Sequence, residues 1–278
     1  MYESELERII AAARGAGEII LSAAEGEKAK SVTEKEGSAN FVTEYDKRTQ
    51  KYLFENLGRI FPDAVFIGEE DEDEHEHRHV FENGLSFIID PIDGTTNFIR
   101  DMKKSVVSIG LLDCGAPTVG VVYDPYADTV YTAVKGEGAY RNGKRMHTVK
   151  RSADKALIFL GTAPYYKDTL CELTFDIAKA MLMVGADLRR SGSAVADFMS
   201  IACGSGDISF EAKLSPWDYA ASSLILTEAG GMICTFDGEE LTFDKPCSVL
   251  ACGSHELGET ALGIIDKCRK SLGKHGKE

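Results

Sequence analysis

No Cys-x-x-Cys pair occurs in the chain, and its seven cysteines, at 114, 171, 203, 234, 247, 252 and 268, are scattered and odd in number. That pattern argues against a disulfide framework or a cysteine-ligated zinc site and for reduced, buried thiols. Basic residues are in deficit as well: 31 Lys and Arg stand against 45 Asp and Glu, a formal net charge of -14. Without a basic surplus the chain has no means of neutralising the phosphates of a nucleic acid or the surface of an anionic membrane. A small anionic ligand would need a local positive centre, such as a metal. No apolar run approaches the roughly 20 residues that span a bilayer. The opening Met-Tyr-Glu-Ser-Glu-Leu-Glu-Arg has neither the basic start nor the apolar stretch of a signal peptide, so a cytoplasmic protein is expected. No Pro/Ser-rich linker, coiled coil or internal repeat divides the chain.

What is present is an ordinary globular composition, 278 residues with 44% hydrophobic content, enough for a large core in one big or two ordinary domains. Leu6, Ile9, Ile10, Ala13, Gly17, Ile20 and Leu21 recur at helical spacing, predicting a long amphipathic helix over 3–25 with an acidic first turn. A second helix is expected over 45–59, ended by Gly58 and Pro62. Strands are expected at 64–67, 85–89, 106–112, 118–123 and 129–134, followed by a tight hairpin at Asn142-Gly143. Beyond Val149 strand and helix alternate: strands at 156–160, 208–211, 232–235 and 248–251, helices at 169–184 and 219–229 and from 256 onward. The fold class is therefore α+β giving way to α/β. The division falls into an N-terminal domain 1–147 with an antiparallel sheet and a C-terminal α/β domain 148–278, with a ligand cleft between them.

Three places end an apolar strand or begin a helix in acid: Gly68-Glu69-Glu70, Asp90-Pro-Ile-Asp-Gly-Thr-Thr-Asn-Phe98 and Trp217-Asp218-Tyr219. A single carboxylate at a helix start is ordinarily a cap. The run from Asp90 does more. Proline fixes its own φ, Gly94 permits a close turn, and Asp90, Asp93 and the Ile92 carbonyl can surround one small volume, with Thr95-Thr96 opening a short helix. Bare carboxylates about 4 Å apart repel by roughly 4 kcal/mol at an effective dielectric near 20, so such a cluster persists only if protonated or bridged by cations. Hard oxygen donors without Cys or His favour Mg²⁺ or Mn²⁺. A phosphate would fit between those cations and the N–H groups of Gly94 and Thr95.

In these motifs, their order and their spacing, the sequence resembles the inositol monophosphatase family of magnesium-dependent, lithium-sensitive phosphatases. The resemblance runs over nearly the whole chain and implies a layered αβαβα sandwich of the inositol monophosphatase/fructose-1,6-bisphosphatase type. It further implies that Glu69, Asp90 and the Ile92 carbonyl bind one metal and that Asp90, Asp93 and Asp218 bind a second, with a third ion beside Glu69. Thr95 would orient the attacking water and hold phosphate, and Asp46 would hydrogen-bond Thr95. Gly192, Ser193 and Ala194, in Arg190-Ser-Gly-Ser-Ala194, and Glu211 would line the alcohol side. Lys35 matches a basic loop position near the phosphate. Ile99-Arg-Asp-Met-Lys-Lys104 departs from the basic and aromatic stretch common in the family. In the acidic run 71–79, His75, His77 and His79 would share one face of a strand, as a transition-metal site would need, but a solvated loop is the favoured reading of so charged a run.

The resemblance implies in-line hydrolysis of a phosphate monoester by a metal-activated water, without a covalent phosphoenzyme, in a homodimer. Myo-inositol 1-phosphate leads as substrate. Fructose 1,6-bisphosphate follows, because Arg189-Arg190 could meet a second phosphate. NADP or 3'-phosphoadenosine phosphate comes next, since nucleotide-directed relatives more often carry a lysine after Gly-Thr. A catalytically inactive metal or inositol-phosphate binding module is the rival of a different class, and Thr95 argues against it.

Overall fold

The computed structural model describes residues 3–23, 32–34, 41–71 and 84–275. Helix α1 (Glu3–Leu21) is followed by a small hairpin, β1 (Val32–Glu34) and β2 (Phe41–Thr43), and by α2 (Glu44–Gly58). Then come β3 (Val65–Gly68), β4 (Leu85–Asp93) and the short α3 (Thr95–Ile99). A meander of β5 (Val106–Asp113), β6 (Ala116–Asp124), β7 (Thr129–Val134), β8 (Gly138–Arg141) and β9 (Lys144–Met146) completes a seven-stranded sheet in sequence order, parallel only between β3 and β4. Asn142 and Gly143, both at positive φ, make the predicted hairpin turn between β8 and β9.

The rest of the chain supplies β10 (Leu157–Leu160), α4 (Lys167–Leu182), β11 (Asp187–Arg189), α5 (Ala194–Ala202), β12 (Ile208–Leu214), α6 (Pro216–Glu228), β13 (Met232–Cys234), β14 (Cys247–Cys252) and α7 (His255–His275). Its five-stranded mixed sheet runs β11-β10-β12-β14-β13. The three-residue strands β1, β2 and β11 carry no readable alternation and were not expected from the sequence.

The layers are αβαβα. Alternate residues of β6 show why: Val121 joins the core under α1 and α2 with Ile9, Leu53 and Phe87, whereas Val122 joins the core between the sheets with Phe198, Ile225 and Val249. A strand buried on both faces must be apolar on both, which explains the continuous hydrophobic runs. A third core seats α4 and α7 on the far side of the second sheet through Ile158, Ile177, Phe210 and Ile265. Burial of such side chains contributes roughly 1.5–3 kcal/mol each relative to exposure.

Helix α6 lies in the middle layer against the first sheet, and two glycines admit it. Gly110 and Gly120 are direct cross-strand partners on β5 and β6. A Cβ on Gly110 would come 2.9 Å from the Ala220 methyl, and one on Gly120 would come 2.6 Å from the Ala221 carbonyl oxygen. The trough matters because α6 carries Asp218. Gly120→Val should overpack this contact, costing about 2 kcal/mol and lowering Tm by about 4–8 °C in a thermal melt. A variant melting with the parent protein would refute the close-approach role.

Candidate active site

Side chains alternate along a strand, so Asp90 and Asp93, three positions apart on β4, would ordinarily face opposite ways. The register shows how they avoid this. Asp90 pairs with Ser108 and Asp93 with Val106, so β4 advances one residue more than β5 over the same interval. The extra residue is a β-bulge, and a bulge is where a sheet tolerates proline, which brings no N–H to the ladder. Pro91 sits in it, and the Ile92 N–H donates to Asp90 Oδ1 at 2.9 Å. One inserted residue thus returns both carboxylates to the same side.

Gly94 follows with φ 90°, a left-handed conformation that glycine adopts freely, and opens α3. The Thr95 hydroxyl lies 3.3 Å from the Ile92 carbonyl oxygen and 3.4 Å from Asp46 Oδ1. Asp46 is fixed by a capping box at the start of α2, in which it accepts from the Thr43 N–H at 2.8 Å and from the Thr43 hydroxyl. Burial pushes the Asp46 carboxyl up to about 6, the Glu70 charge adding to it and the Thr43 bonds opposing it.

Asp218 arrives from the other half of the chain. It occupies the first turn of α6, where Pro216 stands near the helix start and one Asp218 oxygen accepts the Ser215 N–H at 2.8 Å. It is therefore both the third-position partner in the capping box of Ser215 and a member of the cluster. Asp90, Asp93 and Asp218 each present an oxygen within 4.8 Å of the others, the first two buried and the third half-buried. Glu69, on the turn after β3, donates its N–H to the Ile89 carbonyl at 3.2 Å, and its side chain is in hydrogen-bond contact with Asp90. Burial and then the neighbouring acidic charges hold Asp90 and Asp218 well above the usual carboxylate range. Asp93 rises to about 6 through burial, opposed by the Ser193 hydroxyl and the Val195 N–H.

Every donor in this cluster is an oxygen, with the Ile92 carbonyl beside it and neither Cys nor His among the three acids. Such a set suits a hard cation, whose charge would offset the mutual repulsion. The cluster can hold a metal ion.

The other predicted positions converge on the same place. Ser193 caps α5 by accepting the Ala196 N–H at 3.2 Å and donates its hydroxyl to Asp93 Oδ2, while the Val195 N–H reaches the same oxygen at 3.0 Å. Gly192, at φ 87°, precedes it and Ala194 begins the helix. Glu211 accepts the Ala163 N–H at 2.7 Å, next to an irregularity where β12 shifts register against β14. Burial raises Glu211 to about 7, with Ala163 and Arg190 opposing. The two arginines part company: Arg189 turns to Asp187, whereas Arg190 donates to the Thr162 hydroxyl at 3.2 Å. Lys35, His75, His77 and His79 lie outside the described residues.

Sequence reasoning missed Asp197, Tyr165 and Asn97. Asp197 is buried on α5 and pushed up to about 8, chiefly by burial, with Ser191 opposing and Asp93 and Glu211 adding to the rise. An acid inside the apolar run Ala194-Val-Ala-Asp-Phe-Met199 was the available signal. Tyr165, 52% exposed over the whole residue, stands near enough to the cluster that partial desolvation of its hydroxyl and then the charges of Glu69, Asp218, Asp90 and Asp93 raise its phenol. Nothing in its sequence context marks it.

A carboxylate with a raised folded pKa keeps a proton that the unfolded chain has lost, so stability falls as pH climbs from the ordinary value to the raised one. Asp46 and Asp93 near 6, Glu211 near 7 and Asp197 near 8 set that window from about 4 to 8. In metal-free buffer Tm should fall between pH 6 and pH 8. Divalent cation at a hundredfold excess over Kd should restore about 2.7 kcal/mol and flatten the slope. A pH-independent melt that ignores added cation would contradict the electrostatic account.

The sequence profile described as the inositol monophosphatase family matches residues 1–270. Inositol monophosphatase 2 of Solanum lycopersicum is 34% identical over 260 residues, covering 93% of this chain and 96% of that protein. Nus factor SuhB of Pasteurella multocida is 36% identical over 230 residues, 82% of this chain and 84% of that one. Among solved structures, staphylococcal IMPase-II bound to inositol monophosphate superposes with a TM-score of 0.79 at 26% identity, covering 98% of this chain and all (100%) of that one. The same enzyme bound to 2'AMP superposes with a TM-score of 0.81 at 26% identity and full (100%) coverage of both chains. With profile, relatives and architecture in agreement along nearly its whole length, the chain belongs to the inositol monophosphatase family and is a phosphoric monoester hydrolase of that type.

Proposed function

We propose that the protein hydrolyses a small sugar or cyclitol phosphate monoester, myo-inositol 1-phosphate first among them, by direct attack of water. The observation that carries this reading is the convergence of Asp90, Asp93 and Asp218 within 4.8 Å beside Thr95. Glu69, Asp90 and the Ile92 carbonyl would hold one Mg²⁺ or Mn²⁺ and Asp90, Asp93 and Asp218 a second, with a third beside Glu69. Such ions supply Lewis acidity, lowering the pKa of water and neutralising phosphoryl oxygens.

The residues of the chain do the positioning. Thr95, its hydroxyl between Asp46 and the Ile92 carbonyl, is placed to accept and orient the attacking water, and Asp46 holds that hydroxyl. Gly94 and Thr95 offer N–H groups to the phosphate. The phosphorus–oxygen bond to water forms as that to the alcohol breaks, and the proton lost by water ends on the alcohol. Gly192, Ser193, Ala194 and Glu211 form the alcohol side, and a Glu211 carboxyl near 7 can meet sugar hydroxyls as donor or acceptor. The aspartates would be engaged as ligands and no cysteine belongs to the cluster, which supports a route without phosphoenzyme. The two sheets are taken to mark domains 1–147 and 148–278 with the site between them. A homodimer is proposed by analogy with the family. A cytoplasmic setting is in keeping with seven unpaired cysteines.

Fructose 1,6-bisphosphate is the second reading. Arg190 favours it, standing close enough to oppose the charges of Glu211 and Asp197 while Arg189 is turned away. A nucleotide such as adenosine 2'-phosphate is the third, in view of the staphylococcal relative bound to 2'AMP.

A phosphate-release panel of inositol 1-phosphate, fructose 1,6-bisphosphate, adenosine 2'-phosphate, NADP and 3'-phosphoadenosine phosphate, with Mg²⁺ titrated, decides among these. Inositol 1-phosphate should give the highest kcat/KM, and Asp93→Asn or Asp218→Asn should lower it by about 10²-fold or more. Near-normal turnover of either variant at ordinary Mg²⁺ would remove the ligand roles, and Mg²⁺-dependent binding without release would favour an inactive binding module.

A further inference from the structure

The nonapeptide contains one buried polar side chain that neither metal nor phosphate accounts for. Asn97 sits inside α3, 3% exposed. Its Nδ2 donates to the Lys104 carbonyl at 2.8 Å and to the Ser191 carbonyl at 3.0 Å. Both partners are acceptors only, so the amide orientation is settled by chemistry: reversed, Oδ1 would face two carbonyl oxygens. The first bond closes the 100–104 loop onto the metal-bearing turn. The second crosses to a residue 94 positions away in the turn that leads into α5.

Contacts around that joint are tight. A Cβ on Gly192 would stand 2.9 Å from Asn97 Oδ1, and one on Gly94 would stand 3.0 Å from the Lys104 carbonyl oxygen and 3.3 Å from the Gly192 carbonyl oxygen. The Gly94 carbonyl is fixed in turn by the Ser105 hydroxyl at 3.1 Å. Two loops are therefore in backbone contact, with one amide joining them. On one side stand Asp93 and Gly94, and on the other Gly192 and Ser193. Ser193 and Val195 already tie α5 to Asp93. Without Asn97 the preceding residues, Ser191 and Gly192, would lose their side-chain tie to the metal-bearing loop.

We propose that Asn97 is a positioning residue that sets the distance between the phosphate-holding turn and the Ser191–Gly192 turn, and thereby the fit of the leaving alcohol. This rests on the assignment of those turns to phosphate and alcohol given above. A purely structural asparagine would affect every ligand through stability. A positioning one discriminates, because inorganic phosphate touches one turn whereas inositol 1-phosphate touches both.

The test is calorimetric titration, at saturating Mg²⁺, of inorganic phosphate and of inositol 1-phosphate, supplied as its non-hydrolysable methylenephosphonate, into Asn97→Leu, similar in volume but without donors, and Asn97→Ser, which keeps one. Asn97→Leu should weaken inositol 1-phosphate by about tenfold and inorganic phosphate by less than about twofold, with half-saturating Mg²⁺ unchanged to about twofold and the serine variant in between. Equal losses for the two ligands, or a shifted Mg²⁺ requirement, overturn the proposal. Should Asn97→Leu fail to fold, Asn97→Ser carries the test alone: the same ligand discrimination in smaller measure is expected, or the proposal falls. Phosphate release by the unsubstituted protein is followed in parallel. Its absence would overturn the phosphatase reading, whereas equal losses between ligands count against Asn97 alone.

Discussion

Three buried or half-buried carboxylates, brought within 4.8 Å of one another, are the constraint around which the molecule is arranged. Left alone they repel, and each is pushed toward its protonated form. Holding them together takes backbone scaffolding that does not yield. A bulged strand next to the sheet edge supplies Asp90 and Asp93, and a helix seated in a glycine trough supplies Asp218. Each acid is also engaged by N–H groups: Asp90 by Ile92, Asp93 by Val195, Asp218 by Ser215. These bonds stabilise the charged forms that burial disfavours. The cluster is thus poised between two opposing demands, and a cation shifts the balance toward full ionisation.

The same tension spreads outward. Asp46, Glu211 and Asp197 are raised by burial as well, and Asp93 or Glu70 contributes to each. An acidic pocket of this kind is unsuited to a phosphate until its charge is reversed locally. On the proposed reading, that gives the negative overall charge a different meaning from the one it has on a surface: anion binding would wait on a cation.

Legibility in the sequence followed how local the physics was. Asp90, Asp93, Gly94 and Thr95 stand in one nonapeptide, so their chemistry could be read without a fold. Most of the larger helices and strands were visible from periodicity, as in α2, β5 to β7 and α7. The three-residue strands β1, β2 and β11 lack a readable period and escaped, whereas β13, equally short, was marked by its apolar run. Asn97 and Asp197 escaped for another reason, since what each one does depends on a neighbour far along the chain, Ser191 for Asn97 and Glu211 in part for Asp197. The paired glycines in β5 and β6 look like weak points of a strand until α6 is laid on them. The joining of Asp218 to the cluster was read from resemblance, because nothing local ties Trp217-Asp218-Tyr219 to a strand more than a hundred residues earlier.

The bulge at Pro91 gives this protein an unusual sensitivity to chain length. Substitutions along β4 alter one side chain at a time. Removing a single residue between Asp90 and Asp93 would leave both acids on one face, since two steps of a regular strand do what three do across the bulge, but would take away the Pro91 corner or the Ile92 N–H that donates to Asp90. Adding one without a second bulge would turn Asp93 and everything after it to the opposite face. Drift by insertion and deletion, which loops elsewhere in the molecule can absorb, is closed to this segment, so its descendants can change letters but not count.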